Sequence, residues 1–107
     1  MRVLFDQGTP VPLRNALPRH LVETAYERGW QLLTNGELLD AAEAAGFELL
    51  VTTDQGLRYQ QNLANRRIRM LVLKTANWPK IEKHTDRVVG AINAMAAGEY
   101  REISFPP

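Results

Sequence analysis

The chain has 107 residues, 45% of them hydrophobic and 23% charged, which is ordinary for one globular domain spanning residues 1–107. Because the sequence contains no cysteine, disulfides, thiol catalysis, zinc fingers and iron–sulfur clusters are excluded. The apolar run at the start is too short for a signal peptide and no later run approaches a membrane span. We therefore expect a cytoplasmic protein that makes no contact with a membrane.

The net charge is +1, but the charged side chains are distributed unevenly along the chain. Residues 1–57 carry 4 basic and 8 acidic side chains, a balance of −4, and residues 58–107 carry 9 basic and 4 acidic, a balance of +5. Two interpretations stay open. The asymmetry fits an acidic centre with a basic rim, suited to a metal that meets a polyanion, and it fits ordinary solvated surfaces equally well.

The first third of the chain alternates predicted strands with short helical segments. An apolar strand over residues 3–5 ends at Asp6. A short helix over residues 12–17 opens on a proline, which is favoured at the first helical position. A second strand is predicted over residues 20–25, and one turn of helix follows over 26–30.

The rest of the chain continues the alternation. Apolar residues at helical spacing between Asn35 and Gly46 predict a helix that ends at the glycine. The later elements are a third strand over residues 48–53, a short helix over 57–63, a fourth strand over 68–73, a long amphipathic helix over 79–97 and a final strand over 99–105. Crossovers of this kind are right-handed. The predicted fold is α/β, a three-layer α/β/α sandwich with a mostly parallel five-stranded sheet.

Two aspartates, Asp6 and Asp54, follow the first and third predicted strands. Because the carboxyl ends of parallel strands meet at one edge of a sheet, we expect both carboxylates at the same edge, where ligands gather in open α/β folds. Two converging carboxylates indicate a site for a divalent metal. Each aspartate alone is also explained as a helix cap or a turn former.

Three further side chains are candidates for the same site. Glu37 lies in the first turn of the helix before the third strand, and it is preferred over Asp40 because it is nearer the helix start. Complementing the helix dipole is the simpler explanation for both acids. Asn35 either caps this helix or lends its amide to the site. The hydroxyl of Thr53 would orient a carboxylate or contact the substrate.

Basic residues near and after Asp54 are candidates for contacts with phosphate. Residues 54–62 mix amides, a cation and the ring of Tyr59, as contacts to single-stranded nucleic acid do. The alternative is a solvated helix with Tyr59 packed inward. The predicted phosphate contacts are Arg58, Arg66 and Arg67.

The stretches 5–10, 35–46 and 50–62 resemble the PIN domain, and more closely a small uncharacterised PIN-like family. The resemblance covers nearly the whole chain. PIN domains are typically Mg²⁺- or Mn²⁺-dependent ribonucleases, and many are the toxin half of a toxin–antitoxin pair. The resemblance therefore implies an RNA substrate, a divalent cation and an antitoxin protein as partner. It also implies a homodimer, for which the helix over 79–97 offers a surface. Packing against the core explains the same helix equally well.

The family's acidic positions carry over only in part. The resemblance implies that Asp6 and Asp54 are its first and last acids. Asn35 stands where the family has an acid at the helix start, so Glu37 is the nearest replacement. Gly56 stands where a second acid often follows the strand. Two-metal cleavage needs enough negative charge to hold both cations, so these departures predict one Mg²⁺ rather than two.

Three functional hypotheses follow. The first is a metal-dependent ribonuclease in which Asp6, Glu37 and Asp54 are the catalytic residues and metal ligands. The second is a catalytically degenerate PIN-like module that binds RNA or a protein partner. The third is a receiver-like phosphoacceptor with Asp54 as acceptor and Lys74 or Thr75 as its partner.

Overall fold

Five short strands form one sheet in the computed structural model, which describes residues 1–57 and 65–107. The strands are β1 (Arg2–Phe5), β2 (Leu21–Thr24), β3 (Leu49–Thr52), β4 (Arg69–Leu73) and β5 (Tyr100–Ile103). The described helices are a 3-10 helix (Val11–Ala16), α1 (Asn35–Ala44), α2 (Trp78–Glu82) and α3 (Thr85–Ala94). Within the described part of the chain, no helix is long and apolar enough to cross a membrane.

All five strands run parallel, in the order β2-β1-β3-β4-β5. The predicted α/β sandwich is therefore confirmed, with an all-parallel sheet. This is a common doubly wound order. From β1, the chain adds β2 on one side and the later strands on the other, so the strand order switches between β1 and β3, and ligands bind at such a switch point. It is also the order that the receiver-like alternative requires. The register pairs Phe5 with Val51, so β1 and β3 end at the same edge.

Alternation along the strands divides the core between two faces of the sheet. Val3, Val51 and their like-facing neighbours pack against the 3-10 helix, α2 and α3. Leu4 and Leu50, which point the other way, pack against α1. Because successive strand side chains point to opposite faces, Asp6 continues the face that α1 covers.

The prediction of one long helix over 79–97 is wrong, because two shorter helices, α2 and α3, form there. The backbone at His84 leaves helical geometry, with φ −137° and ψ 36°. The amide of His84 donates to the carbonyl of Ile81, three residues back, instead of continuing the α-helical ladder. Ile81 and Val88 still enter the same core. Their spacing of seven residues suits one helix or two, so periodicity does not reveal the break.

Two other short helices have different outcomes. The segment 26–30 forms hydrogen-bonded turns instead of the predicted helical turn. In it, the amide of Gly29 donates to the carbonyl of Tyr26 over 3.0 Å. The predicted helix over 57–63 falls almost wholly on residues 58–64, which lie outside the described part of the chain.

Candidate functional site

Asp6 lies directly after β1 and is held by two threonine hydroxyls. The hydroxyl of Thr9 is 2.7 Å from Asp6 Oδ1, and that of Thr52, at the end of β3, donates to Asp6 Oδ2. Both threonines are buried. The register pairs Phe5 with Val51, so the next residues, Asp6 and Thr52, lie side by side. Alternation turns both side chains to the α1 face, and Thr52 therefore reaches Asp6.

Burial raises the pKa of Asp6 above its ordinary value of 3.8, although the hydrogen bonds from Thr52 and Thr9 oppose the rise. The hydrogen bonds of Thr9 are consistent with a raised pKa of Asp6. Its single hydroxyl proton faces two acceptors, Asp6 Oδ1 at 2.7 Å and the carbonyl of Val51 at 2.9 Å. A protonated Asp6 donates to Thr9, which then donates to Val51. An ionised Asp6 must compete with Val51 for that proton.

Asp54 lies two residues beyond β3 and is held by amide groups. Its Oδ1 accepts a 2.8 Å hydrogen bond from the backbone N–H of Gly56, which fixes the turn. Its Oδ2 accepts a 2.6 Å bond from Asn35 Nδ2. The backbone N–H of Asp54 donates to the hydroxyl of Thr52 over 3.0 Å. Since Thr52 also donates to Asp6, one hydroxyl links the two aspartates.

The start of α1 is therefore at the carboxyl edge of the sheet, as the sequence suggested. The cap of this helix is Thr34 and not Asn35, so that interpretation of Asn35 is wrong. Thr34 accepts from the N–H of Glu37 over 3.3 Å, and Glu37 Oε1 accepts from the N–H of Thr34 over 2.9 Å. These bonds lower the pKa of the exposed Glu37. The structure thus engages Glu37 in a capping box and leaves Asn35 to hold Asp54.

Thr53 also lies beside the site, as predicted. A methyl group placed on Gly8, in the loop after β1, would come 2.6 Å from Thr53 Oγ1 and 3.9 Å from Asp6 Oδ1. The absence of a side chain at position 8 therefore lets this loop approach the end of β3 closely.

A cavity of about 190 Å³ lies next to Asp6. Its polar walls come from Asp6 itself and from the amide side chains of Gln7, Gln31 and Asn35. The indole of Trp30 forms part of the apolar wall. Asp6 and Asn35, which donates to the Asp54 carboxylate, thus both line the cavity.

Two of the predicted phosphate contacts, Arg66 and Arg67, are not brought to this site, and that prediction is corrected. They precede β4 and so lie at the amino edge of the parallel sheet, opposite the aspartates. Arg66 pairs there with Asp40 at 2.9 Å and with Glu43 at 2.7 Å. The N–H of Arg67 donates to Glu43. Sequence distance from Asp54 did not reveal that Arg66 and Arg67 lie at the opposite edge of the sheet.

Arg58 lies outside the described residues. Lys74, which follows β4 directly, is an exposed cation at the carboxyl edge. Its carbonyl accepts a 3.3 Å hydrogen bond from Gln55 Nε2, next to Asp54. This contact brings Lys74 to the neighbourhood of the carboxylate pair.

The donor set fits one divalent cation. Among residues 1–57 and 65–107, no three acidic or histidine side chains form a group that could hold a metal. A carboxylate oxygen has two lone pairs. Each oxygen of Asp54 accepts one described bond, and the Asp6 carboxylate accepts from the hydroxyls of Thr9 and Thr52 and from the backbone N–H groups of Thr9 and Gly8. Mg²⁺ is often held by one or two carboxylates, with water and substrate phosphates completing its octahedron.

Sequence reasoning missed two supporting residues and one local signal. Thr9 was not selected, although a threonine three residues after an aspartate often bonds back to it. The bond of Thr52 to Asp6 is not visible in the sequence, because it depends on strand pairing. The Thr34-x-x-Glu37 pattern is a capping-box signature that explains Glu37 without a ligand role.

Comparisons with protein-family models, with curated proteins and with solved structures give no match for this chain.

Proposed function

We propose that the chain is a PIN-like, Mg²⁺- or Mn²⁺-dependent ribonuclease that holds one cation between Asp6 and Asp54. The observation that carries this proposal is the link through Thr52, which joins the Asp6 carboxylate to the backbone N–H of Asp54 at the β1/β3 switch point. A partly buried carboxylate that is held by hydroxyls and backbone N–H groups, with no cation beside it, gains from a cation. An antitoxin partner and a toxin role remain part of the proposal on the resemblance alone.

The chain's own residues divide the work of hydrolysis. A bound cation would polarise the phosphodiester and lower the pKa of the attacking water. Positive charge beside Asp6 would favour its ionised form, because that charge offsets the burial that raises its pKa. Thr52 holds the Asp6 carboxylate beside the backbone of Asp54. Asn35 orients Asp54 Oδ2, and Lys74 takes over the role of phosphate contact that was predicted for Arg66 and Arg67.

The decisive experiment measures RNA cleavage with Mn²⁺ or Mg²⁺ for Asp6→Asn and Asp54→Asn. We expect each to reduce cleavage by about 100-fold or more, as loss of groups at a metal site commonly does. Asp86→Asn is the matched control, because this exposed acid lies in the first turn of α3, on the other side of the sheet from α1. Cleavage that persists unchanged in Asp6→Asn would remove the aspartate from the mechanism.

The second candidate is a degenerate PIN-like module that binds RNA without cleaving it. The observation that favours it is the Asn35–Asp54 hydrogen bond, in which an amide replaces the family's third acid. Calorimetry with Mg²⁺ and Mn²⁺ separates the two. Absence of binding at millimolar cation would reject the nuclease and leave the binding module.

A further inference from the structure

Exposed cations continue from Asp54 across β4 and β5 at the carboxyl edge of the sheet. The register pairs Leu73 with Ile103, the last residues of these two strands, so Lys74 and Ser104 lie side by side just beyond them. Neighbouring strands are about 5 Å apart, which sets the two positions about 5 and 10 Å from the end of β3. The edge therefore continues for two strands past the aspartates.

Hydrogen bonds connect these positions from one to the next. Gln55 Nε2, next to Asp54, donates to the carbonyl of Lys74 over 3.3 Å. At the end of β5, Arg87 Nε donates to the carbonyl of Ser104 over 3.1 Å, so the first turn of α3 brings a guanidinium to this edge. Lys74 and Arg87 thus follow the aspartates in a row, one at the end of β4 and the other at the end of β5.

Both cations are available to a ligand. Lys74 and Arg87 are exposed, and within residues 1–57 and 65–107 neither forms an ion pair. A guanidinium has five N–H donors, and the bond to Ser104 uses only one of those on Arg87. Residues 74–87 carry four basic and two acidic side chains, a balance of +2. The positive charge of this surface is therefore not compensated locally.

The cations near β2, on the opposite side of the aspartates, already have partners. Arg14 pairs with Glu27 at 2.8 Å, and Arg28 pairs with Glu23 at 3.5 Å. The guanidinium of Arg28 also lies over the indole of Trp30, 4.9 Å from the ring centre. A polyanion gains less from cations that are already paired with acids. The charge distribution therefore favours the β4–β5 side for a bound polyanion.

We propose that the β4–β5 side of the carboxyl edge binds the phosphate backbone of a single RNA strand, with Lys74 and Arg87 as contacts to two of its phosphates. This inference rests on the proposed function, because it gives the direction in which the substrate extends from the same aspartates. Proteins that bind single strands without sequence preference use cations that follow the backbone, and each contact releases condensed counterions. Binding here is therefore independent of the bases and strongly dependent on salt.

The salt dependence of RNA binding measures the two contacts. We would follow the fluorescence anisotropy of a short labelled oligouridylate in EDTA, at about 50 to 200 mM KCl, so that no divalent cation supports cleavage. For single strands, each phosphate contact contributes about 0.7 to the slope of log K against log salt concentration. We expect Lys74→Gln and Arg87→Gln each to reduce that slope by about 0.7 and to weaken binding about fivefold at about 0.1 M salt.

Two further variants separate a phosphate contact from other effects of charge and structure. Arg67→Gln removes an exposed cation at the amino edge and should leave the slope unchanged. An equal loss in Arg67→Gln would show that the charge of the whole chain, and not this side, binds RNA. Arg87→Lys keeps the charge but loses the Nε bond to Ser104, so it should retain the slope. A slope that falls as much in Arg87→Lys as in Arg87→Gln would give Arg87 a structural role and overturn its assignment.

The outcomes separate this proposal from the one on which it rests. If RNA is cleaved through Asp6 but the slope is unchanged in Lys74→Gln and Arg87→Gln, the backbone site is wrong and the nuclease stands. If both variants lower the slope but no divalent cation supports cleavage, the backbone site stands and the nuclease fails. If oligoglutamate of equal charge competes with the oligonucleotide and binds more tightly, the surface is a site for an acidic polypeptide and its assignment to RNA is wrong.

Discussion

Charges are held differently around Arg66 and around Asp6, which lie at opposite edges of the sheet. At the amino edge, cations meet acids directly: Arg66 pairs with Asp40 and Glu43, and Arg101 with Glu99 at 2.6 Å. At the carboxyl edge, Asp6 is held by hydroxyls, and no ion pair joins it to a cation in the described ranges. The surroundings of Arg66 are built for stability. The surroundings of Asp6 keep negative charge for an external cation.

The largest expected effect comes from adding a methyl group at each edge. At the amino edge, Gly98 has φ +78° and its added Cβ would come 2.9 Å from the carbonyl oxygen of Arg66. We expect Gly98→Ala to cost about 2–4 kcal/mol of unfolding free energy, combining a left-handed backbone with a backbone clash. Urea unfolding measures this cost.

At the carboxyl edge, the matched substitution is Gly8→Ala, whose Cβ meets only the hydroxyl of Thr53. A side-chain rotation relieves that contact, so we expect a smaller loss of stability together with weaker cation binding and cleavage. Equal stability costs at both edges, with cleavage intact in Gly8→Ala, would contradict the contrast.

Neutralising one acid at each edge should change stability in opposite directions. Glu43→Gln weakens the bonds to Arg66, whose side chain is only 18% exposed, and should cost about 1–2 kcal/mol. Asp6→Asn removes a partly buried charge and should stabilise the chain at neutral pH by about 1 kcal/mol, because an amide also donates to Thr9. Thermal unfolding at pH 7 without divalent cations compares them. Destabilisation by Asp6→Asn would show that its carboxylate is already compensated.

The pH dependence of stability should identify Asp6. Because its pKa is raised in the folded state, the folded chain binds the proton more tightly than the unfolded chain. The contribution of Asp6 is therefore fully present below pH 3.8 and is lost as the pH rises through its folded-state pKa. Relative to Asp6→Asn, the native chain should lose stability from pH 3 to 7 and recover part of it with Mg²⁺. A difference that is independent of pH would contradict the shift.

The smallest effect separates the two roles considered for Glu37. Glu37→Gln keeps the capping box, since glutamine also accepts from the N–H of Thr34, and should change stability by less than about 0.5 kcal/mol. Glu37→Ala removes the bond and should cost about 0.5–1 kcal/mol. We expect cleavage to be unchanged in Glu37→Gln. A large loss of cleavage in this variant, with stability intact, would restore Glu37 as a metal ligand.

Local sequence patterns were sufficient to predict most of the fold and the common edge of the two aspartates. The apolar runs before Asp6 and Asp54 predict buried strands, and the alternation with helices predicts parallel pairing at a common edge. The same patterns say nothing about the break at His84, because the apolar spacing continues through it. They also do not reveal that Arg66 lies at the far edge.

What the sequence determined by itself is therefore the α/β class and the presence of two aspartates at one edge of the sheet, because both depend on periodicity and on the handedness of connections. The tertiary structure alone decided how those aspartates are held. The bonds of Thr52 to Asp6 and of Asn35 to Asp54 join residues 46 and 19 positions apart. They depend on strand order and register, which long-range packing sets and no local pattern encodes.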